Sequence, residues 1–187
     1  MTAAHQPLAG ADIEAIERAT LDAVAPQWVD ALDDEAWLLP MDPGTVGRAR
    51  SAVPLRHQAP RADPARLLER IEARYVARGF PTHLRVAEAA CFDGLANAMT
   101  ARGYQAAKPT QTQTGTARAM LAPGADAPAQ IDAAPDAAWA QVFLGPGFDP
   151  VDGASRVQAL SRASGNLDAS VREDGVVFSA AKLSFSY

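Results

Sequence analysis

Three histidines (His5, His57 and His83) and one cysteine (Cys91) are the soft side chains of this sequence. A metal site needs several such ligands to converge, and these four show no ligand spacing, so no metal is expected. Cys91 follows His83 closely enough to suggest a nucleophile and base, yet its place at a strand-to-helix junction suits a small packed residue. Arg56, His57 and Arg61 form a small basic loop that could meet the phosphates of a nucleotide-type ligand. Two arginines without glycines do not make an anion nest, and the loop reads as solvated. Asp33-Asp34-Glu35 offers carboxylates for general-base work, but three acids just before an apolar run read as a solvated turn. Trp37 and Tyr75 could line a substrate groove; both fall on apolar faces, where core packing is the default. These residue types assign no catalytic and no cofactor-binding residue.

The elements that would position such groups come from a chain of 187 residues, 48% hydrophobic, long enough for one full core and a partial second. Its 22 acidic and 17 basic residues leave a net charge of -5, which argues against binding a phosphate backbone, so nucleic acid is not an expected partner. A single cysteine excludes an internal disulfide framework. The N-terminus lacks the pattern of a signal peptide, and no apolar run approaches the ~20 residues that cross a bilayer, so a cytoplasmic protein without membrane insertion is expected.

In chain order, Asp12 can cap a helix whose face carries Ile13, Ile16, Thr20 or Leu21, and Val24, with Trp28 beyond Pro26. Ala36–Pro40 reads as a strand, Asp42-Pro43-Gly44 as a turn, and Thr45–Leu55 as the returning arm of a hairpin. The strongest signal follows: Asp63 as cap and Pro64 at the first helical position open a helix over 64–78, closed by Gly79, with Leu68, Ile71, Tyr75 and Val76 on one face. His83–Ala87 reads as a strand joined by a crossover, Phe92–Ala101 as a helix ended by Gly103, and the Thr-rich stretch Ala106–Leu121 as an extended strand. Ala122–Pro135 mixes proline, alanine and glycine without an apolar period. Residues 122–134 therefore read as a linker between a unit over 1–121 and a second over 135–187. The second unit predicts helices from Pro135 to Phe143 and from Asp149-Pro150 to Gly165, the latter with Val151, Ala154, Val157 and Leu160 inward. Strands Leu167–Arg172 and Val176–Tyr187 are joined by Asp174-Gly175, with Leu183, Phe185 and Tyr187 facing a core and Lys182, Ser184 and Ser186 facing away.

The order helix, Trp37-Leu38-Leu39 hairpin, helix ending in Tyr75 to Gly79-Phe80-Pro81, strand, helix ending in Arg102-Gly103-Tyr104, and Thr-rich strand resembles the N-terminal half of bacterial GNAT-family N-acetyltransferases that carry two GNAT-like units. The likeness covers about residues 12–187. It implies an α/β (α+β) fold with a GNAT-like mixed sheet flanked by helices, followed by an incomplete second unit. It also implies acetyl-CoA as cofactor and an amine, such as a small-molecule amine, as acceptor. In that family the cofactor sits on a turn of the type Arg/Gln-x-x-Gly-x-Gly/Ala, where glycines and a helix N-terminus present N–H groups to the pyrophosphate. The matching loop here, Leu55 to Asp63, has no glycine, carries Pro60 ahead of Pro64, and places Asp63 where the phosphate would lie. Met99 stands where relatives often carry a general-acid tyrosine. The resemblance thus implies a degenerate first unit, and no catalytic or cofactor-binding residue transfers.

A strongly β-patterned strand at Val176–Tyr187 would also leave a sheet edge open. A second reading is therefore a non-catalytic interaction module that pairs through this edge with another chain, most simply as a homodimer.

Overall fold

The computed structural model describes residues 9–116, 118–119 and 128–185. Among the described residues the fold is a mixed α+β arrangement of two small three-stranded antiparallel sheets and five helices. The first sheet is built from β1 (Trp28–Leu32), β2 (Trp37–Met41) and β3 (Val53–Pro54) in that order. Its hairpin lies one strand earlier than the sequence suggests. Trp28 opens β1, which pairs with β2 across the Asp33–Ala36 turn (Trp28 opposite Met41, Leu32 opposite Trp37), and the expected returning arm shrinks to β3. Pro26 hides this strand from a pattern search because it separates Trp28 from any apolar alternation.

Two helices cover the first sheet's core. In α2 (Pro64–Ala77) the Asp63 carboxylate accepts from the N–H groups of Ala65 and Arg66, and Pro64 occupies the first turn, where its missing donor costs nothing. Leu67, Leu68, Ile71 and Tyr75 are buried at helical spacing against Leu39, Met41, Trp37 and, from α3 (Asp93–Ala101), Leu95. Val76 is 70% exposed, so the inward stripe turns on Leu67 instead. At the rim, Arg70 meets Asp34 at 2.8 Å and Arg74 meets Asp30 at 3.0 Å, exposed pairs worth little in stability but fixing α2 over the hairpin. Helix α1 (Gly10–Val24) buries Ile13, Leu21 and Val24; it begins two residues before Asp12, whose carboxylate accepts from the Ala9 N–H. The expected strand at His83–Ala87 is reduced to one parallel bridge, Leu84 to Ala52. Residues 105–116 carry no regular structure and are mostly exposed, so the Thr-rich strand is not formed; Ala117, Met120 and Leu121 lie outside the described residues.

The second sheet has the order β4 (Gln130–Asp132), β5 (Leu167–Glu173), β6 (Val176–Leu183). Strand β4 lies inside the stretch read as linker, of which residues 122–127 lie outside the described residues. Asp174 and Gly175, at φ 49° and 79°, make the tight β5–β6 turn in the left-handed region that this residue pair tolerates. Against β6 packs α4 (Ala137–Leu144), capped by Asp136 accepting from the Trp139 N–H, and against α4 packs α5 (Pro150–Arg162), capped by Asp149 accepting from the Asp152 N–H. The inward residues of α5 are small, Gly153 and Ala159, while Val151 is 70% exposed. The expected Val151 face is wrong because α4 approaches too closely for large side chains: a Cβ on Gly153 would collide with the Phe143 carbonyl.

The facing of β6 is also the reverse of expectation. Lys182 points inward to Asp168, with side-chain exposures of 6% and 1% and a distance of 3.0 Å, whereas Leu183 is 39% and Phe185 47% exposed. Residues 186 and 187 lie outside the described residues.

Contacts between the halves run through the Asp42-Pro43-Gly44 turn. Arg162 of α5 binds the Asp42 carboxylate at 2.5 Å and the Ala25 carbonyl at 3.0 Å. Ser155 Oγ accepts from the Thr45 N–H, and Thr45 Oγ1 donates to Asp152.

Two stability outcomes follow from this packing. Gly153→Ala should cost about 1–3 kcal/mol by overpacking in chemical denaturation. Lys182→Met should cost about 3–5 kcal/mol by stranding the buried Asp168 carboxylate, and adding Asp168→Leu should restore most of that loss.

Candidate functional site

The first sheet, its crossover helix and the segment after it create one unusual place. Strand β3 leaves the sheet into the 55–62 loop, α2 crosses over, and the chain returns beside Ala52. There the Ala52 N–H donates to the His83 carbonyl and the Arg85 N–H to the Ala52 carbonyl, both at 2.8 Å. This is a parallel connection of a single bridge. Beyond it the two segments separate: β3 stays with β2, and residues 85–89 run irregularly toward the 3-10 turn Ala90–Phe92 that leads into α3. Phe92, 2% exposed, sits against Trp37 (centroids 6.5 Å apart) and His57 (5.9 Å).

The N-terminus of α2 is where a helix offers N–H groups to an anion. Four of the nearby donors are satisfied from within the chain. Glu35, with only 3% of its side chain exposed, accepts from the Arg61 and Ala62 N–H groups, both at 2.8 Å. Asp63 accepts from Ala65 at 3.0 Å and Arg66 at 3.2 Å. Pro60 and Pro64 have no N–H to give. Two fixed carboxylates therefore occupy the donor field that a phosphate would need, and their charges repel one. A phosphate-bearing cofactor does not fit this loop.

The residues picked out by type do not converge. Arg56, His57 and Arg61 are exposed, and His57 rests on Phe92. Of the three acids, Asp33 and Asp34 are exposed as a solvated turn would be; Asp34 pairs with Arg70, a hydrogen bond that holds its carboxyl below the ordinary value. Glu35 overturns that reading, being buried as the anchor of a loop 26 residues away in sequence. Trp37 and Tyr75 are core residues, 2% and 0% exposed. The Tyr75 hydroxyl donates to the Pro40 carbonyl at 2.9 Å, and burial pushes its ionisation up. Cys91 and Met99 pack at the edge of the same core, and His5 lies outside the described residues. Tyr104, which bonds Glu72 at 3.0 Å, is pushed up to about 12, first by burial and then by that carboxylate. It has no base beside it that could deprotonate it near neutrality. A groove of about 680 Å³ between the Pro43-Gly44 turn and α5 is lined by Pro150, Val151, Ala154, Ser155 and Gln158, with no ionisable side chain for acid–base work. No helix among the described residues is long and apolar enough to cross a membrane.

Comparison with known proteins places this geometry. A family model described as "Probable histone acetyltransferase Rv0428c C-terminal" matches residues 10–180, spanning both sheets. The chain belongs to that acetyltransferase-like family. No curated protein matches it, and no solved structure does. The family match covers the whole of α1 through β5 and most of β6, so the loop ahead of α2 lies inside the matched region. Sequence reasoning missed Glu35 because its partners are backbone groups, which leave no mark in residue types.

Two measurements check this site. Glu35→Ala removes two charge-assisted hydrogen bonds and strands two donors, and should cost about 2–4 kcal/mol in denaturant unfolding, against under about 1 kcal/mol for Asp33→Ala. The second concerns His83, whose imidazole is lowered from 6.5 by burial and then by the Arg50 charge. The unfolded chain therefore takes up the proton first as pH falls. His83 contributes stability that is full above pH 6.5 and lost as pH drops through the lowered folded value. Thermal melts of His83→Gln should show a shallower loss of stability below pH 6.5 than the parent.

Proposed function

We propose that this chain is a GNAT-type N-acetyltransferase-like protein whose first unit keeps the sheet of the enzymes but has no cofactor seat. The observation that carries the reading is the lone parallel bridge between Ala52 and Leu84, reached through crossover helix α2 and followed by a parting of the two segments. A splayed parallel pair is the place where GNAT enzymes admit the pantetheine arm of acetyl-CoA. The family description, naming an acetyltransferase, supports the same chemistry: transfer of an acetyl group to an amine.

Against catalysis by this unit stand Glu35 and Asp63 on the donors. Acetyl transfer relies on orientation and on polarising N–H groups aimed at the thioester oxygen. With those groups committed elsewhere, the unit over residues 1–121 serves as scaffold. Residues 135–187, with α4, α5 and the β5–β6 hairpin, supply the opening elements of a second GNAT-like unit, and β4 ahead of them belongs to the same sheet.

Calorimetric titration of the full chain with acetyl-CoA should give no binding heat up to about 1 mM, a ceiling that corresponds to roughly -4 kcal/mol. A micromolar dissociation constant would overturn the degenerate reading. The GNAT geometry has its own check in solution NMR: contacts between Ala52 and Leu84 with none between Pro54 and Ala87 are expected, and an extended parallel ladder would sink it. The alternative, a non-catalytic interaction module, is supported by one observation: among the described residues β6 pairs only with β5.

A further inference from the structure

The apolar core of the first unit stops at the junction with the second. The buried cluster around Leu39, Leu68 and Ile71 draws on residues of the first unit alone. Helix α5, which lies against α1 across the junction, buries only Gly153 and Ala159, and Gly153 is turned onto Phe143 of its own unit. What joins the units is polar. Arg162 donates to the Ala25 carbonyl through Nε and Nη2, at 3.2 and 3.0 Å, and to the Asp42 carboxylate. The Thr45 N–H donates to Ser155 Oγ at 2.7 Å, Thr45 Oγ1 to Asp152 at 2.6 Å, and Asn166 Nδ2 to the Asp22 carbonyl at 3.3 Å. Water replaces such bonds when they break, so each is worth little net, and an interface of this kind lets units move. The chain that joins them leaves the first unit through residues 105–116, exposed and without regular structure.

One of these grips falls on strained backbone. Ala25 ends α1 at φ 37° and ψ 68°, in the left-handed region where a residue with a Cβ is held at a cost. Its carbonyl takes the Arg162 fork, and two residues on, the Gln27 N–H donates to the same Asp42 carboxylate that Arg162 binds. Residues 25–27 are thus clamped by a side chain from the other unit. The groove beside the clamp has one wall from each unit, Pro43 and Gly44 against Val151, Ala154 and Ser155. The walls meet closely at one end, where a Cβ on Gly44 would collide with Ser155 Oγ. The groove therefore keeps its shape only while the units are docked.

We infer that Arg162, with Asp42 and Ala25, is a latch between a docked and an open state of this chain, and that its release opens the groove between the 42–44 turn and α5. Docked, the guanidinium holds the end of α1 and the turn together and offsets the strain at Ala25. Open, Arg162 and Asp42 are hydrated, Ala25 is free to leave the left-handed region, and the Thr45–Ser155 and Thr45–Asp152 bonds part with the groove walls. Strain present in one state and relieved in the other sets the two against each other, so a single side chain moves the balance. The latch acts whether or not acetyl-CoA binds.

Hydrogen exchange read by NMR on the full chain tests this residue by residue. The Thr45 N–H is held across the junction by Ser155, whereas the Ala52 and Leu55 N–H groups are held inside the first unit by the His83 and Ala36 carbonyls. Arg162→Ala should speed exchange at Thr45 at least about tenfold and leave Ala52 and Leu55 as protected as in the parent. Its radius of gyration in small-angle X-ray scattering should rise. Ala25→Gly, which takes the left-handed conformation without cost, should slow exchange at Thr45. Arg18→Ala removes only an exposed pair within α1 and should change neither reading. Parent-like exchange at Thr45 in Arg162→Ala overturns the latch. So does loss of protection at Ala52 and Leu55 along with Thr45, which would make the chain one cooperative unit. A faster Thr45 with the parent's radius of gyration overturns it too, by confining the change to the turn. Unchanged or faster exchange in Ala25→Gly sinks the part played by strain and with it the two-state latch.

Discussion

Four backbone N–H groups at the entry to α2, those of Arg61, Ala62, Ala65 and Arg66, are held by two carboxylates of the chain itself. A helix start must find partners for its first donors, and Asp63 meets part of that need locally. Glu35 meets the rest of the loop from the β1–β2 turn, so the same contact ties the hairpin to the loop and aims α2 across the sheet. Without it the Arg61–Ala62 backbone would lose its partners and α2 would lose its entry angle. The contact that makes the first unit stable is thus the one that removes its capacity to hold an anion.

The second sheet follows a different compromise. Gly153 lets α5 approach α4 closely, and on the sheet Asp168 and Lys182 form a buried pair. A buried ion pair gains little net stability over an apolar pair of the same volume, because desolvation offsets the attraction. What it does is fix which face of β6 turns inward, and with it which face meets the surroundings.

Between the two sheets the junction is polar and specific. Arg162 reaches both the Asp42 carboxylate, 5% exposed, and the carbonyl of Ala25, where α1 ends in a left-handed residue. A charged hydrogen bond in a partly buried setting is worth more than one on the surface, and its fork geometry sets orientation as well as energy. Thr45, Ser155 and Asp152 add a second attachment. The Asp42-Pro43-Gly44 turn, legible as a turn from residue types, therefore also acts as a docking point.

Local signals in the sequence determined much of the fold. Asp63-Pro64, Asp136 and Asp149-Pro150 start helices where capping chemistry places them, and Asp174-Gly175 makes the hairpin its backbone angles demand. Each depends on groups a few residues apart, so the chain alone carries the information. Facing and pairing did not follow in the same way. Val76, Val151 and Leu183 are apolar by type and exposed in place, because the neighbour that decides an inward face lies far along the chain. Trp28 opens a strand through its pairing with Met41, and Leu84 makes a single bridge, to Ala52. The loop without glycine told from sequence alone that a phosphate would be poorly served. That Glu35 fills its place was decided by tertiary structure, since a carboxylate bonded to distant backbone amides leaves no pattern in the residues between them.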